Sequence, residues 1–165
     1  MRATRRAQAL RRELGVTALM ERSPTKVAIY VVHLFIYASI LNYPWEVAQS
    51  TLFSGMGDIK TAWRHCIGSS LGDGLITLIV YAAVCLTFKN LSWSLHMKRE
   101  KFAFVALLGL LVGASIEWIA VNVLNRWSYT PEMPLIPHIN LGVFPVLQLA
   151  VLLPAIFFLA SRHRI

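Results

Sequence analysis

Residues 102–124, FAFVALLGLLVGASIEWIAVNVL, decide the fold. Glu117 is the only ionisable side chain in the run. As an α-helix it spans about 34 Å at 1.5 Å per residue, enough to cross a hydrocarbon core of about 30 Å. No water is available there, so the backbone must bond to itself and the run is a helix rather than an open strand. Working outward, three more apolar runs follow the same logic: 27–45, 71–88 (only just long enough) and 141–160. The first is no cleavable signal, because it ends in Tyr43-Pro44-Trp45 and lacks a small-residue cleavage site. Of the 165 residues 56% are hydrophobic and 15% charged, with mean hydropathy +0.57; a soluble domain carries about 25% charge. The expected fold is all-α, a polytopic membrane protein with four transmembrane helices. The helices form one domain over 27–161, between a cytoplasmic segment, 1–26, and a tail, 162–165.

Orientation follows from Lys and Arg. Arg2, Arg5, Arg6, Arg11, Arg12, Arg22 and Lys26 precede the first span, Lys89, Lys98, Arg99 and Lys101 lie in the second loop, and Arg162 and Arg164 end the chain. The remaining connectors hold only Lys60, Arg64 and Arg126. The imbalance puts both termini in the cytoplasm and the first and third loops outside. The net charge of +8 is then a topology signal and a contact for anionic lipids, and no nucleic-acid partner is expected. Residues 1–22 carry Ala3, Ala7, Leu10 and Leu14 on one face amid arginines, the pattern of a basic helix on a membrane surface; a solvated tail explains the composition equally well. Cys66 and Cys85 belong near opposite faces, so no disulfide is expected between them.

The outer connectors are the richer ones. In the first, Ile59, Ala62, Trp63 and Cys66 recur at helical spacing after Asp58, a candidate cap, which predicts an interfacial helix over 58–67. In the second, Pro131, Pro134 and Pro137 predict a stiff extended segment, either a lid or a plain connector. The inner loop, 89–101, shows no chemistry.

Polar residues within the apolar runs carry the functional reading. A carboxyl at the centre of a span costs roughly 2.5–3.5 kcal/mol, so it faces the protein interior and usually has work there. Gly109, Gly113 and Glu117 share one helix face; the two glycines permit close helix approach, which turns Glu117 inward. Asp73, Thr77 and Tyr81 form a polar stripe, although Ser70-Leu-Gly-Asp73 also has the form of a capping box. Glu46 follows Tyr43-Pro44-Trp45, and Gln148 should lie near the depth of Glu117. Loss of water favours the neutral form of a carboxyl, which makes an acid at this depth a candidate proton donor. His33, with Tyr30 and Tyr37 on its face, is expected to bond a neighbouring helix.

The run Tyr43-Pro-Trp-Glu46, the pair Gly72-Asp73, Glu117-Trp118 and Arg126-Trp-Ser-Tyr129 with Met133-Pro134 together resemble a group of small bacterial four-helix membrane proteins. The resemblance covers the four spans and implies no activity. In style, acids beside Trp and Tyr in a small helical membrane protein are similar to carotenoid cyclases and hydratases and to sterol isomerases, with no diagnostic motif of those families complete.

The leading expectation is an intramembrane enzyme that acts on a lipid or isoprenoid near the outer leaflet by carboxyl acid/base chemistry. Glu117, Asp73 and Glu46 are the candidate catalytic groups. Trp118, Trp127, Tyr129, Gln148 and Trp45 are candidate substrate contacts. No cofactor is expected. Alternatives are a subunit of a membrane complex, a small proton-coupled carrier requiring a homo-oligomer, and a metal site built from His65, Asp73, Glu117 and His138, for which no regular ligand spacing exists. ATP hydrolysis, nicotinamide redox chemistry and serine hydrolysis lack their motifs.

Overall fold

A computed structural model describes residues 23–56 and 59–162. The expectations for the basic segment, for Asp58 as a cap and for the tail beyond Arg162 lie outside the described residues. Among the described residues the fold is all-helical in class, 77% helix, and four helices are long and apolar enough to cross a membrane.

Helix α1 runs Pro24–Gln49 and tightens into a 3₁₀ turn, Ser50–Leu52. Pro24 sits in its first turn, where a missing N–H costs nothing and the fixed φ favours the helix. Pro44 lies inside α1 and deprives the Ile40 carbonyl of its usual donor, yet the helix continues.

Helix α2 is a single element, Ile59–Phe88. The expected interfacial helix over 58–67 and the second span are therefore one rod about 45 Å long. The run Gly68-Ser-Ser-Leu-Gly-Asp-Gly74 looks like a break but does not act as one. Ser70 Oγ donates to the Cys66 carbonyl (2.5 Å) and Thr77 Oγ1 to the Asp73 carbonyl (2.9 Å), so the hydroxyls are satisfied by their own helix. The capping-box reading of Ser70 and Asp73 fails with it, because Asp73 stands in mid-helix. Gly74 is a contact point: a Cβ there would lie 2.8 Å from both Phe35 Cε2 and Ser39 Oγ of α1. Cys66 and Cys85 sit about 28 Å apart along this rod, beyond the reach of a disulfide.

Helix α3 runs Arg99–Trp118 and widens into a π turn, Ile119–Val123. Two two-residue strands, β1 (Leu135–Ile136) and β2 (Leu141–Gly142), pair antiparallel before α4, Val143–Arg162. Gly109 and Gly113 put α3 against α4. A Cβ on Gly109 would run into the Leu149 carbonyl, and one on Gly113 would lie 3.0 Å from the Val146 carbonyl. Backbone cannot step aside as a side chain does. Gly109→Ala should therefore destabilise the protein by about 1–3 kcal/mol despite its better helix propensity. Gly72→Ala, whose Cβ meets nothing within 4 Å, should be neutral or stabilising in the same unfolding assay in micelles.

Helix α1 packs against α2 and α4, and α3 packs against α4, whereas α2 and α3 flank the assembly and meet mainly at the end away from Glu117, where Phe88 stands edge-on to Phe104 at 5.9 Å. Large aliphatic side chains point outward on every helix, among them Ile40, Ile79, Leu111 and Val151, as expected of surfaces that meet hydrocarbon rather than water. The apolar core fills the half of the molecule farther from Glu117. Tyr30, Leu34, Val105, Leu153, Ile156 and Phe157 are each almost wholly buried there. The connector between α2 and α3 is tucked into this half. Trp93 stands 5.0 Å from the Phe157 ring and stacks on Tyr81 at 6.2 Å. Tyr30 and Ser94 share a hydrogen bond of 2.7 Å, and Lys101 Nζ donates to the Trp93 carbonyl at 2.6 Å. A loop expected to be a plain basic link is part of the core.

Candidate functional site

The polar layer lies at the other end of the helices, and each helix contributes to it. On α1, Asn42, Glu46 and Gln49 stand at i, i+4 and i+7, hence on one face. Asp73 comes from α2, Glu117 from α3 and Gln148 from α4. Gln148 is the hub. Its Nε2 lies 2.9 Å from Asn42 Oδ1, 2.8 Å from Glu46 Oε1 and 2.8 Å from Asp73 Oδ2. Two N–H bonds serve these three acceptors. Its Oε1 accepts from Gln49 Nε2 (2.9 Å), which also donates to Glu46 Oε1 (2.9 Å). Asn42 Nδ2 donates to the Ala38 carbonyl (2.8 Å), which fixes that amide with its oxygen towards Gln148. Glu46 and Asp73 are thus held side by side by neutral amides.

Glu117 has a separate pair of donors. Trp127 Nε1 reaches its Oε1 at 3.1 Å and the Tyr129 hydroxyl reaches the same oxygen at 2.6 Å. The chain returns to Glu117 because the π turn hands the Leu124 N–H to the Ile119 carbonyl, and Asn125 then takes a left-handed conformation (φ 49°) of the kind that commonly closes helices. The following strap is pinned to the end of α1. Phe53 and Tyr129 form a β-bridge, Ser54 N donates to the Ser128 carbonyl at 2.8 Å, and Thr130 N to the Leu52 carbonyl at 3.0 Å. Phe53 meets Trp127 edge-on at 6.2 Å. The proline-rich segment folds into this strap and a small hairpin rather than one extended rod. Burial first, and the bond to Glu117 second, raise the Tyr129 phenol above its ordinary range, so it remains a donor at neutral pH.

Glu46, Asp73, Glu117, Gln49 and Gln148 line one cavity of about 410 Å³, within the size range of small-molecule sites. Gly68, Ser69 and Gly72 of α2 face Gly113 and Ile116 of α3 across it, and Phe53, Met56, Arg126 and Trp127 complete the end nearest the strap. The chemistry on offer is proton transfer: three carboxyl groups set in amide and aromatic donors, beside an apolar wall.

The structure thus gathers Glu46, Asp73, Glu117, Gln148 and Trp127, and ties Tyr129 to them through its hydroxyl. It does not gather Trp118 or Trp45. Trp118 is 51% exposed and turned outward, since one helical step rotates it about 100° from Glu117. Trp45 is half-buried next to Glu46 but does not line the cavity. Neither is among the residues that line this cavity. The alternative metal set is not assembled, because His65 and His138 are both exposed. Among the described residues no group of three or more His, Cys, Asp or Glu is placed to hold an ion. His33 Nδ1 bonds the Ile29 carbonyl of its own helix at 2.8 Å and lies outside the cavity. Sequence reasoning passed over Asn42 and the part played by Gln49. Their spacing about Glu46 was the available signal. Against family models, curated proteins and solved structures, the chain finds no match.

Proposed function

We propose that the protein is an intramembrane enzyme that acts on a lipid or isoprenoid by carboxyl acid/base chemistry. It works from the outer leaflet of a bacterial inner membrane, with both termini in the cytoplasm. One observation carries this reading: three carboxyl groups from three helices, two of them joined by an amide from the fourth, meet in a single cavity beside apolar walls. Buried acids that serve only to hold helices together need partners, not a hollow. In the proposed chemistry Glu117 exchanges a proton with the substrate, and Glu46 and Asp73 take up or return the balancing proton. Gln148 and Gln49 position that pair, while the strap at Trp127 and Tyr129 sets the Glu117 carboxyl. The expected orientation rests on the distribution of Lys and Arg described above.

The test compares apolar lipid extracts from cells expressing wild type and Asp73→Asn at equal protein level. Mass spectrometry should show a species that wild type forms and the variant forms about 100-fold less, the usual scale for losing one acid/base group. Matching extracts would remove the enzymatic reading.

A further inference from the structure

We infer that the cavity is loaded sideways from the hydrocarbon, through the gap between α2 and α3 at Gly72, and that it receives the hydroxyl end of a neutral apolar alcohol. The inference rests on the site proposed above and names the route and chemical class of its ligand. The gap comes from the packing: α2 and α3 both line the cavity, yet they do not pack extensively on each other, and their ring contact, Phe88 on Phe104, lies at the far end of both helices. Gly68 and Gly72, one helical turn apart on α2, have nothing within 4 Å of where a Cβ would stand. That absence of side chains leaves a slot between the helices.

The second observation points to the ligand itself. Gln49 is 95% buried and lines the cavity, and its Oε1 has no hydrogen-bond partner. Its orientation is fixed, because its Nε2 is committed to the oxygens of Glu46 and Gln148. An orphaned buried acceptor is unfavourable and calls for a donor. A hydroxyl supplies one, and its lone pairs can in turn accept a proton from a carboxyl group, which an ammonium cannot do. Ammonium also meets the Arg126 guanidinium in the same cavity, and a phosphate meets three acids. The remaining wall, Ile76, Ile116 and Leu149, suits an aliphatic or polyene body that extends through the slot.

The probe is a photoreactive fifteen-carbon isoprenoid alcohol in lipid nanodiscs, with the matching hydrocarbon, amine and phosphate as comparators. The alcohol should label cavity residues of α2 and α3 about tenfold more than the hydrocarbon, the worth of one well-placed hydrogen bond. Gly72→Leu, which fills open space, should cut that labelling about tenfold, the equivalent of 1.4 kcal/mol, with unfolding midpoint unchanged. Gln49→Met should erase the preference of alcohol over hydrocarbon. Labelling that ignores Gly72→Leu, or an amine or phosphate that labels better than the alcohol, overturns the inference. Binding of the alcohol without any conversion leaves the inference intact and rejects the enzyme; Glu117-dependent conversion of a lipid lacking a hydroxyl does the reverse.

Discussion

Glu117→Gln should lower turnover by about 10²–10⁴-fold, the range expected when a positioned acid or base is removed, while the protein folds as before. The substitution is discriminating because of how Glu117 is held. Trp127 Nε1 and the Tyr129 hydroxyl both donate to one oxygen, Oε1, and the amide oxygen of glutamine accepts both bonds equally well. Shape, burial and the anchorage of the strap survive, and the exchangeable carboxyl proton is lost. A structural role for Glu117 predicts the opposite pairing: activity near wild type, with any loss confined to stability. Conversion rate per folded molecule, measured beside the chemical unfolding midpoint, separates the two. Full activity in the variant would take Glu117 out of the chemistry.

Gln148→Leu should be the most destabilising change in the polar layer, on the order of 1–3 kcal/mol even after allowing that such bonds are worth less in lipid than their number suggests. Leucine fills the space but donates nothing. Glu46, Asp73 and Asn42 lose a shared donor, and the Gln49 amide loses its acceptor on α4. The two acids are then neighbours with no amide between them. Gln49→Leu, which removes bonds only to Glu46 and Gln148, should cost less. Equal effects from the two variants in micellar unfolding would show that Gln148 is no hub.

The four apolar elements were readable because hydrocarbon leaves a chain few options: long unbroken runs of aliphatic residues between basic clusters must become helices. The inward aim of Glu117 was readable for a similar reason, since Gly109 and Gly113 mark the face that touches another helix. Other features depended on contacts that sequence does not display. The start of α2 looked separate from its span because Gly68, Ser69, Ser70 and Gly72 resemble a break. The Ser70 hydroxyl turned back on its own helix, Ser69 bonds Glu46 of α1, and the glycines left a gap. Trp118 and Trp45 were grouped with their acidic neighbours by adjacency, although in a helix adjacent residues point in different directions. Trp93 gave no signal at all, because a three-residue turn inside a basic loop has no periodicity from which its burial follows.

The buried Trp93 has a bearing on how protons come and go. With its indole packed against Tyr81 and Phe157, the helical assembly is stoppered opposite the carboxyl groups, and the polar stripe that descends from Asp73 ends there, with the Thr77 hydroxyl bonded to the Asp73 carbonyl and the Tyr81 hydroxyl to the Leu91 carbonyl. In the proposed chemistry a proton surrendered by Glu117 would be regained from the face at which it left. The reaction would then run without moving net charge through the protein and would be indifferent to the voltage across it.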